Sequence, residues 1–398
     1  MKDKVFGSSM VLGAKVLPFY LFTFLLLTLS GCIEEYDADI SSDDTNLLVV
    51  DGSICSSQLN KFYLSLTQPI NTSYSPQMIT EATLFVRGSD GSEYKAQLAN
   101  GYYACQVGDL SSDVEYYLHI EYDGEVYESE PQKPLRVEEI DVVVGIQYTP
   151  EGDIDVLVTP AEPFNPNKTN YYSWTYDETW EVHPDYTTDW YYDTTLHTAI
   201  TKLDQFPERG WKNGRSREIM VAASTNYEGQ HIRQLKLYDI ANNNERMYYR
   251  YSALVHQRAI SKAEYEYELA REQASSEMGG LFTPLPSSLP TNIHCLTSQK
   301  HIIGYVGCSL NVSERRFFLE PRDFTINRPK QSDNRLWAEN PSDDYCCKLV
   351  SRGMFLCEWN DEREMQGSLT TAWAYEYQLD VRLSGAYIEK PDFWYDEY

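Results

Sequence analysis

The feature that most constrains this chain is a succession of short segments in which apolar and polar residues alternate. Segments of this kind fall at residues 62–66, 82–86, 94–98 and 116–122. A period of two places the apolar side chains on one face, so each segment predicts a half-buried β-strand. Asp-Gly and Asn-Gly pairs between the segments supply turns, because glycine accepts a positive φ. Short strands at regular spacing predict a transthyretin- or immunoglobulin-like β-sandwich over residues 46–135.

Residues 138–398 continue this pattern and predict a second, C-terminal β-rich domain with one helix. Aromatic residues make up 14% of the chain, which favours strands over long helices. Ser261 and Glu264 have the spacing of a capping box, in which each side chain satisfies a free amide at a helix start. A helix is therefore expected over residues 261–278, and residues 327–344 predict a polar loop. The fold class is mainly β.

The first 31 residues have the organisation of a lipoprotein signal peptide. Lysines precede an apolar stretch at residues 16–29, which is too short for a transmembrane helix of about 20 residues. The stretch ends in Leu-Ser-Gly-Cys, which resembles the bacterial lipobox and makes Cys32 the predicted lipidation site. Residues 32–45 predict an acidic tether, in which Glu34 and Glu35 resemble a surface-export signal of Bacteroidota. We expect an outer-membrane lipoprotein exposed at the cell surface; the periplasmic face is the alternative.

The charge of the chain bears on its partners. Lys and Arg number 33 and Asp and Glu number 60, which gives a formal net charge of −27. This balance argues against nucleic acid as a partner and against adsorption to an anionic membrane, since both require clustered positive charge. One basic cluster stands out and is a candidate for an anionic ligand or an acidic partner, a solvated loop being the alternative. Its members are Arg209, Lys212, Arg215 and Arg217.

Aromatic residues crowd together between positions 174 and 192. Trp174, Tyr176 and Trp180 follow strand alternation and are expected in the core, with Glu178 on the same face. The aromatic residues that follow lack a clear period and predict a loop over 183–193. Exposed loop aromatics are candidate contacts for a sugar or a partner protein, unless they fold back onto the sandwich. These candidates are Tyr186, Trp190, Tyr191 and Tyr192.

Motifs for catalysis do not occur in the sequence. It has no nucleophile elbow, zinc-protease motif, phosphate loop or dinucleotide fingerprint, so we expect no enzymatic activity, cofactor or metal site. The histidines and cysteines between 294 and 308 fall on differing strand faces, which argues against a metal cluster. An exported chain can hold disulfides, and the sequence favours Cys357 paired with Cys346 or Cys347.

A set of short strings in a fixed order carries a family resemblance. The strings lie at residues 48–52, 125–129, 172–174, 178–180, 279–282 and 390–394. Together they resemble the Bacteroidota lipoprotein family known as domain-of-unknown-function 4249, over about residues 47–394. The resemblance implies an accessory role in nutrient uptake, with a TonB-dependent outer-membrane receptor as partner and an unidentified ligand. It supplies no catalytic residues. A surface glycosidase or peptidase and a structural or adhesive envelope protein are the alternatives.

Overall fold

The computed structural model describes nine ranges of the chain, all within one unit that spans residues 46–398. The ranges are 46–67, 77–136, 142–148, 152–160, 170–216, 220–276, 289–330, 332–365 and 367–396. Several predictions fall outside them. These are the signal peptide, Cys32, the acidic tether, Arg217 and the end of the predicted helix.

The described residues lie mainly in β-strands, which are numbered here in chain order. The first thirteen are β1 Leu48–Asp51, β2 Ile54–Cys55, β3 Leu59–Leu66, β4 Gln77–Met78, β5 Thr83–Gly88, β6 Glu93–Lys95, β7 Gln97–Ala99, β8 Tyr102–Gln106, β9 Tyr116–Tyr122, β10 Glu125–Ser129, β11 Val142–Tyr148, β12 Ile154–Pro160 and β13 Tyr171–Val182. The next are β14 Trp190–Asp193, β15 Thr198–Thr201, β16 Gly210–Arg215, β17 Met220–Ala223, β18 Leu235–Ile240, β19 Tyr251–Ala259, β20 Ile293–Cys295, β21 Ile302–Gly304, β22 Cys308–Ser309, β23 Ser313–Leu319, β24 Leu336–Glu339, β25 Met354–Asp361 and β26 Leu369–Tyr375. The α-helices are α1 Lys262–Ser276 and α2 Asp343–Ser351.

Two sheets form the first sandwich. One has the strand order β21-β1-β3-β8-β7, with β4 beside β3, and the other has the order β20-β10-β9-β5-β6. Phe62 and Leu64 of the first sheet pack against Leu84 and Val86 of the second, and all four are fully buried. The alternation seen in the sequence therefore places these residues on the inner faces, as expected for a mainly β fold.

Residues far along the chain complete this sandwich. β20 pairs antiparallel with β10, and β21 pairs parallel with β1. β22 pairs with β2, also in parallel. A Cβ atom on Gly304 would collide with the carbonyl oxygen of Val50, so glycine is required at this contact. The first sandwich thus contains a segment that the sequence pattern assigned to the C-terminal region, because alternation within a strand does not reveal its distant partners.

A second sandwich follows the first. Its sheets have the strand orders β11-β12-β18 and β16-β13-β19-β23, with β17 beside β13. Trp174 is fully buried between them, and its indole N–H donates a hydrogen bond to Gln257 at 2.8 Å. Trp180 is only partly buried, so its predicted place in the core holds in part. Glu178 on the same face is buried and pairs with Arg246 at 2.7 Å.

A third layer is built from a small sheet, a helix and a hairpin. The sheet has the order β24-β26-β25, and α2 packs near β25. The hairpin of β14 and β15 adds Tyr192 to a core that contains Leu349 of α2, Leu356 of β25 and Trp373 of β26. A two-stranded hairpin is marginally stable alone, so packing against the sheet and α2 stabilises β14 and β15.

Helix α1 begins where the sequence predicts. The hydroxyl of Ser261 accepts a hydrogen bond from the Glu264 amide at 3.0 Å, which is one half of the expected capping box. The Glu264 carboxylate forms an ion pair with Arg258 of β19 at 2.7 Å. The helix start is therefore joined to the second sandwich by a charged contact as well as by chain connectivity.

Candidate functional site

An open cleft of about 550 Å³ lies between the segment that follows β13 and the third layer. Residues 183–190 form one wall. Tyr249, Arg335, Cys357 and Glu358 belong to the other walls. This space is called the aromatic cleft here, because Tyr186, Trp190 and Tyr249 contribute rings to it. Concave sites with a few placed polar groups are the usual form of a ligand-binding site.

Tyr186 is held in place by hydrogen bonds at both ends. Its hydroxyl donates to Asn334 Oδ1 at 2.8 Å and accepts from the Asn334 amide at 3.0 Å. Its backbone amide donates to the carbonyl oxygen of Gln378 at 3.0 Å. The Gln378 side chain also donates to Asn334 Oδ1, at 2.7 Å. This network fixes the ring before any ligand arrives, which lowers the entropy cost of binding.

Arg335 lies between two aromatic rings at the edge of the cleft. Its guanidinium carbon is 4.7 Å from the ring centroid of Tyr186 and 4.9 Å from that of Trp337. Asp333 accepts from Arg335 Nε at 2.9 Å and from Nη2 at 2.8 Å, and Glu358 accepts from Nη1. The hydrogen bonds from Arg335 hold the pKa of Asp333 well below its usual range. Two carboxylates therefore engage the guanidinium, which supports the rings.

A second pair of stacked rings, His183 and Tyr249, also lines the cleft. The rings of His183 and Tyr249 are parallel within 7°, with centroids 3.9 Å apart. His183 Nε2 lies 2.7 Å from Glu181 Oε1. Burial raises the pKa of Glu181, but hydrogen bonds from His183 and Arg209 outweigh it, so this pKa lies below its ordinary value. The imidazole is thus held flat against the tyrosine ring.

The structure corrects the predicted loop at residues 183–193. Residues 190–193 are strand β14, and Tyr192 is only 2% exposed, with its ring 5.8 Å from that of Trp373. Trp190 and Tyr191 are half-buried, and Lys202 lies over the Tyr191 ring at 5.0 Å. Aromatic residues occupy both faces of this short strand, so the sequence shows no alternation to detect. Of the four candidates, Tyr186 and Trp190 line the cleft.

The predicted basic cluster is also corrected, since its described members each face a carboxylate. The ion pairs are Arg209 with Glu181 (2.8 Å) and Asp396 (2.6 Å), Lys212 with Glu245 (3.3 Å), and Arg215 with Asp177 (3.1 Å). Arg217 lies outside the described residues. These pairs join β16 to neighbouring strands and to the chain terminus, and they leave the described cations committed to internal contacts. The cluster therefore contributes to the fold at these three positions.

The sequence analysis did not single out Arg335, which lines the cleft, or its contacts Asp333 and Trp337. These residues fall in a segment that was expected to be a polar loop, yet Leu336–Glu339 form strand β24. Their spacing of two was the available signal, because alternate residues of an extended chain point to the same side. Arg335 and its neighbour Asn334 both contact Tyr186, which lies 148 positions before Asn334 in the chain. A contact over this distance could not be predicted from the sequence.

A second cleft of about 330 Å³ lies between the two sandwiches and α1 and is called the junction cleft. Arg258 and Glu264 pair there at 2.7 Å, with side chains only 15% and 6% exposed. Glu268 is 2.7 Å from Arg271, and burial raises the pKa of Glu268 to about 7. A Cβ atom on Gly307 would collide with Glu264, which shows how closely the first sandwich approaches the helix.

Further polar contacts lie at the junction cleft. His256 lies 3.1 Å from Asp177 and 2.9 Å from Glu314. The hydrogen bond with His256 is the main cause that lowers the pKa of Asp177 to about 2. Arg215 of the second sandwich donates to the hydroxyl of Tyr63 in the first, at 3.0 Å. Of these contacts, the hydrogen bond from Arg215 to Tyr63 joins the two sandwiches.

The cysteines are unpaired at every described position. All seven described cysteines are free, so the expected disulfide from Cys357 to Cys346 or Cys347 does not form. Cys346 packs in the core around Leu349, whereas Cys357 packs with Ala372 and Ala374 on the other side of β25. Cys357 lies at a β-bulge in β25, where the pairing with β26 shifts between Leu356 and Glu358.

Neither a metal-binding group nor a membrane-spanning helix is found among the described residues. No group of three or more His, Cys, Asp or Glu side chains there is arranged to hold a metal ion. Among the same residues, no helix combines the length and the apolar character needed to cross a membrane.

Comparison with known proteins assigns the chain to a family. Residues 33–315 match the model of a family described as a domain of unknown function (DUF4249). The match covers well over half of the chain, so the chain belongs to this family. It includes the first sandwich, most of the second, α1 and the wall of the aromatic cleft at residues 183–190, and it ends within β23. No curated protein matches the sequence.

Proposed function

We propose that this protein is a surface-exposed outer-membrane lipoprotein that binds a ligand for TonB-dependent uptake, without catalysis. The aromatic cleft is the observation that carries the proposal. It is open, it is lined by rings and polar groups, and its Tyr186 and Arg335 are fixed by hydrogen bonds and ion pairs. A site that is already ordered loses little conformational entropy on binding. These properties support a receptor that captures a ligand and passes it on.

The membrane location rests on the N-terminal sequence. Leu-Ser-Gly-Cys ends the apolar stretch, and lipidation of Cys32 would attach two or three acyl chains. Two chains make a stable anchor, since each buried methylene contributes about 0.8 kcal/mol. The acidic residues Glu34 and Glu35 support display at the surface of a Bacteroidota cell. The partner is a TonB-dependent receptor, which family resemblance supports.

Anchoring and surface display are tested together in cells. Cys32→Ser is expected to release the protein from membranes or to trap its precursor, while wild type fractionates with the outer membrane. Proteinase added to intact cells is expected to degrade the wild type. Unchanged membrane partition of Cys32→Ser would overturn the lipid anchor. Protection of wild type until the outer membrane is broken would overturn surface display.

The binding role is tested with the lipidated protein purified from membranes. A TonB-dependent receptor is expected to copurify with it, and any ligand that binds should be recovered chemically unchanged after prolonged incubation. Cleavage of the ligand by wild type would show an enzyme instead. Copurification of adhesion or envelope proteins without a receptor would favour a structural role.

A further inference from the structure

We infer that the aromatic cleft binds uncharged oligosaccharide chains, with Trp337 as a stacking surface at its rim. This inference rests on the proposed function, because it names the ligand class of the same cleft. It follows from the charges around the cleft, from the contacts already made by its rings, and from the surfaces that remain exposed.

Anionic ligands are disfavoured by the charge at the cleft. Arg335 is engaged by Asp333 and Glu358, so its positive charge is already neutralised within the protein. Asp185 and Asp189 are exposed on the facing wall. The chain as a whole carries a formal net charge of −27. A sulfated or carboxylated ligand would meet these carboxylates and be repelled.

Cationic ligands are disfavoured by the rings themselves. A cation binds an aromatic ring by approaching its face within about 6 Å. Arg335 already lies over Tyr186 at 4.7 Å, and Arg328 lies over Tyr249 at 4.8 Å. His183 stacks on the Tyr249 ring as well. The protein's own side chains therefore already lie against these rings, which leaves less ring surface for a ligand's ammonium group.

The remaining surfaces suit sugars. Trp337 is 45% exposed, and its indole N–H donates to Asp333 at 3.0 Å, which fixes the direction of the ring. Arg335 lies over one face of this ring at 4.9 Å, so a ligand would stack on the other face. A pyranose ring can place its C–H face on such a fixed ring while its hydroxyls donate hydrogen bonds outward. The exposed carboxylates of Asp185 and Asp189 and the hydroxyl of Thr187 supply partners for those hydroxyls.

A second pair of exposed rings is joined to the hydrogen-bond network that holds Tyr186. Tyr375 and Tyr377 stack within 11° of parallel and are 44% and 64% exposed. Gln378 links them to the cleft, because its side chain accepts from the Tyr375 amide at 3.0 Å and donates to Asn334 at 2.7 Å. Exposed rings at Trp337 and at Tyr375 and Tyr377 offer more than one aromatic surface, which suits a chain of several sugars better than a single sugar.

Calorimetric titration of the full lipidated protein in detergent tests the inference. The probes are uncharged hexasaccharides of α- and β-linked glucose, xylose, mannose and galactose, with a hexalysine peptide and a sulfated hexasaccharide for comparison. At least one uncharged probe is expected to bind with a Kd between about 10 µM and 1 mM, and the charged probes are not.

Substitutions then locate the binding. Trp337→Ala is expected to weaken binding of that probe at least tenfold, and Trp337→Phe to restore part of it. Tyr345→Ala is the matched control, since Tyr345 is 39% exposed and does not line the cleft. Asp333→Asn keeps an acceptor oxygen near the indole N–H but removes the charge, and it should weaken binding less than Trp337→Ala.

Each other outcome overturns the inference in a recognisable way. Absence of binding to every uncharged probe refutes it, as does binding that Trp337→Ala leaves unchanged. Binding of hexalysine alone, lost on Trp337→Ala, would refute the ligand class but keep a binding cleft and the proposed function. Failure of the Cys32→Ser and proteinase tests would refute the surface location without affecting these titrations.

Discussion

The aromatic cleft and the junction cleft contain the same kinds of side chain but differ in their access to water. In the junction cleft, Arg258 and Glu264 are 15% and 6% exposed. In the aromatic cleft, Arg335 is 16% exposed, yet its partners Asp333 and Glu358 are 41% and 47% exposed. Removing the partner of an exposed carboxylate costs little free energy of folding, because water solvates the charge. Removing the partner of a buried carboxylate costs much more, because the charge is then left unpaired away from water.

This difference separates two tasks. In the junction cleft, the buried pair of Arg258 and Glu264 joins the second sandwich to α1, and Arg258 also donates to Ser309 of the first sandwich, so substitutions there should change stability. The half-exposed pairs of the aromatic cleft hold rings in position for a ligand, so substitutions there should change binding. Measurements of stability and affinity on matched variants therefore test whether the two clefts have these different roles.

The largest effect on stability is expected for Arg258→Met. This change leaves the buried Glu264 carboxylate without its partner, and losses of this kind are typically about 3 to 5 kcal/mol. Urea unfolding followed by far-UV circular dichroism measures it. Lys348→Met is the control, because Lys348 and Asp344 are 62% and 79% exposed and their pair should contribute less than about 1 kcal/mol. Equal losses of unfolding free energy in the two variants would show that the buried pair contributes no more than an exposed one.

A smaller, pH-dependent effect is expected for Glu268→Gln. Burial raises the pKa of Glu268 from 4.5 to about 7, so the folded protein keeps a proton that the unfolded chain releases. Its contribution to stability is complete below about pH 4.5 and is lost as the pH rises through about 7. The shift corresponds to a loss of up to about 3 kcal/mol. Glu268→Gln should remove this decline.

Unfolding free energies measured between pH 4.5 and pH 8 check the expected change. The wild type should lose stability over this interval more steeply than Glu268→Gln. Glu266→Gln serves as the control, since Glu266 is 56% exposed and pairs only with Lys262 on the helix surface. Parallel profiles for wild type and Glu268→Gln would show that Glu268 does not titrate in this range.

The smallest effect on stability, and the largest on binding, is expected for Arg335→Met. Asp333 and Glu358 remain solvated after the change, so the loss of stability should be about 1 kcal/mol or less. Tyr186 and Trp337 lose the guanidinium between them, and affinity for an uncharged hexasaccharide should fall at least tenfold. Thermal unfolding and calorimetry measure the two quantities on one sample. A large loss of stability with unchanged affinity would reverse the roles assigned to the two clefts.

Local features of the fold could be predicted where one face of an element is apolar and the other polar. Phe62 and Leu64 alternate with polar neighbours and face the core of the first sandwich. Ser261 lies at a helix start that its side chain caps. Both signals depend only on residues a few positions apart, so they survive without knowledge of the rest of the chain.

The remaining features depend on contacts between distant residues. Residues 190–193 carry aromatic side chains on both faces, which hides the strand, and Tyr192 is buried by a layer formed from residues beyond 342. The return of β20 and β21 to the first sandwich is decided by edge pairing that no local pattern encodes. The cleft wall at Arg335 was missed for the same reason, since Tyr186 and Glu358 come to it from separate segments.

Hydrogen–deuterium exchange tests whether the ligand binds at the aromatic cleft and not at the junction cleft. The wild type is measured with and without the uncharged hexasaccharide that binds most tightly. Ligand contact should slow amide exchange at residues 183–193 and 332–339, which form the aromatic cleft and its rim. Exchange at residues 256–271, in the junction cleft, should stay the same. Slower exchange confined to residues 256–271, with no change at the aromatic cleft, would contradict the account.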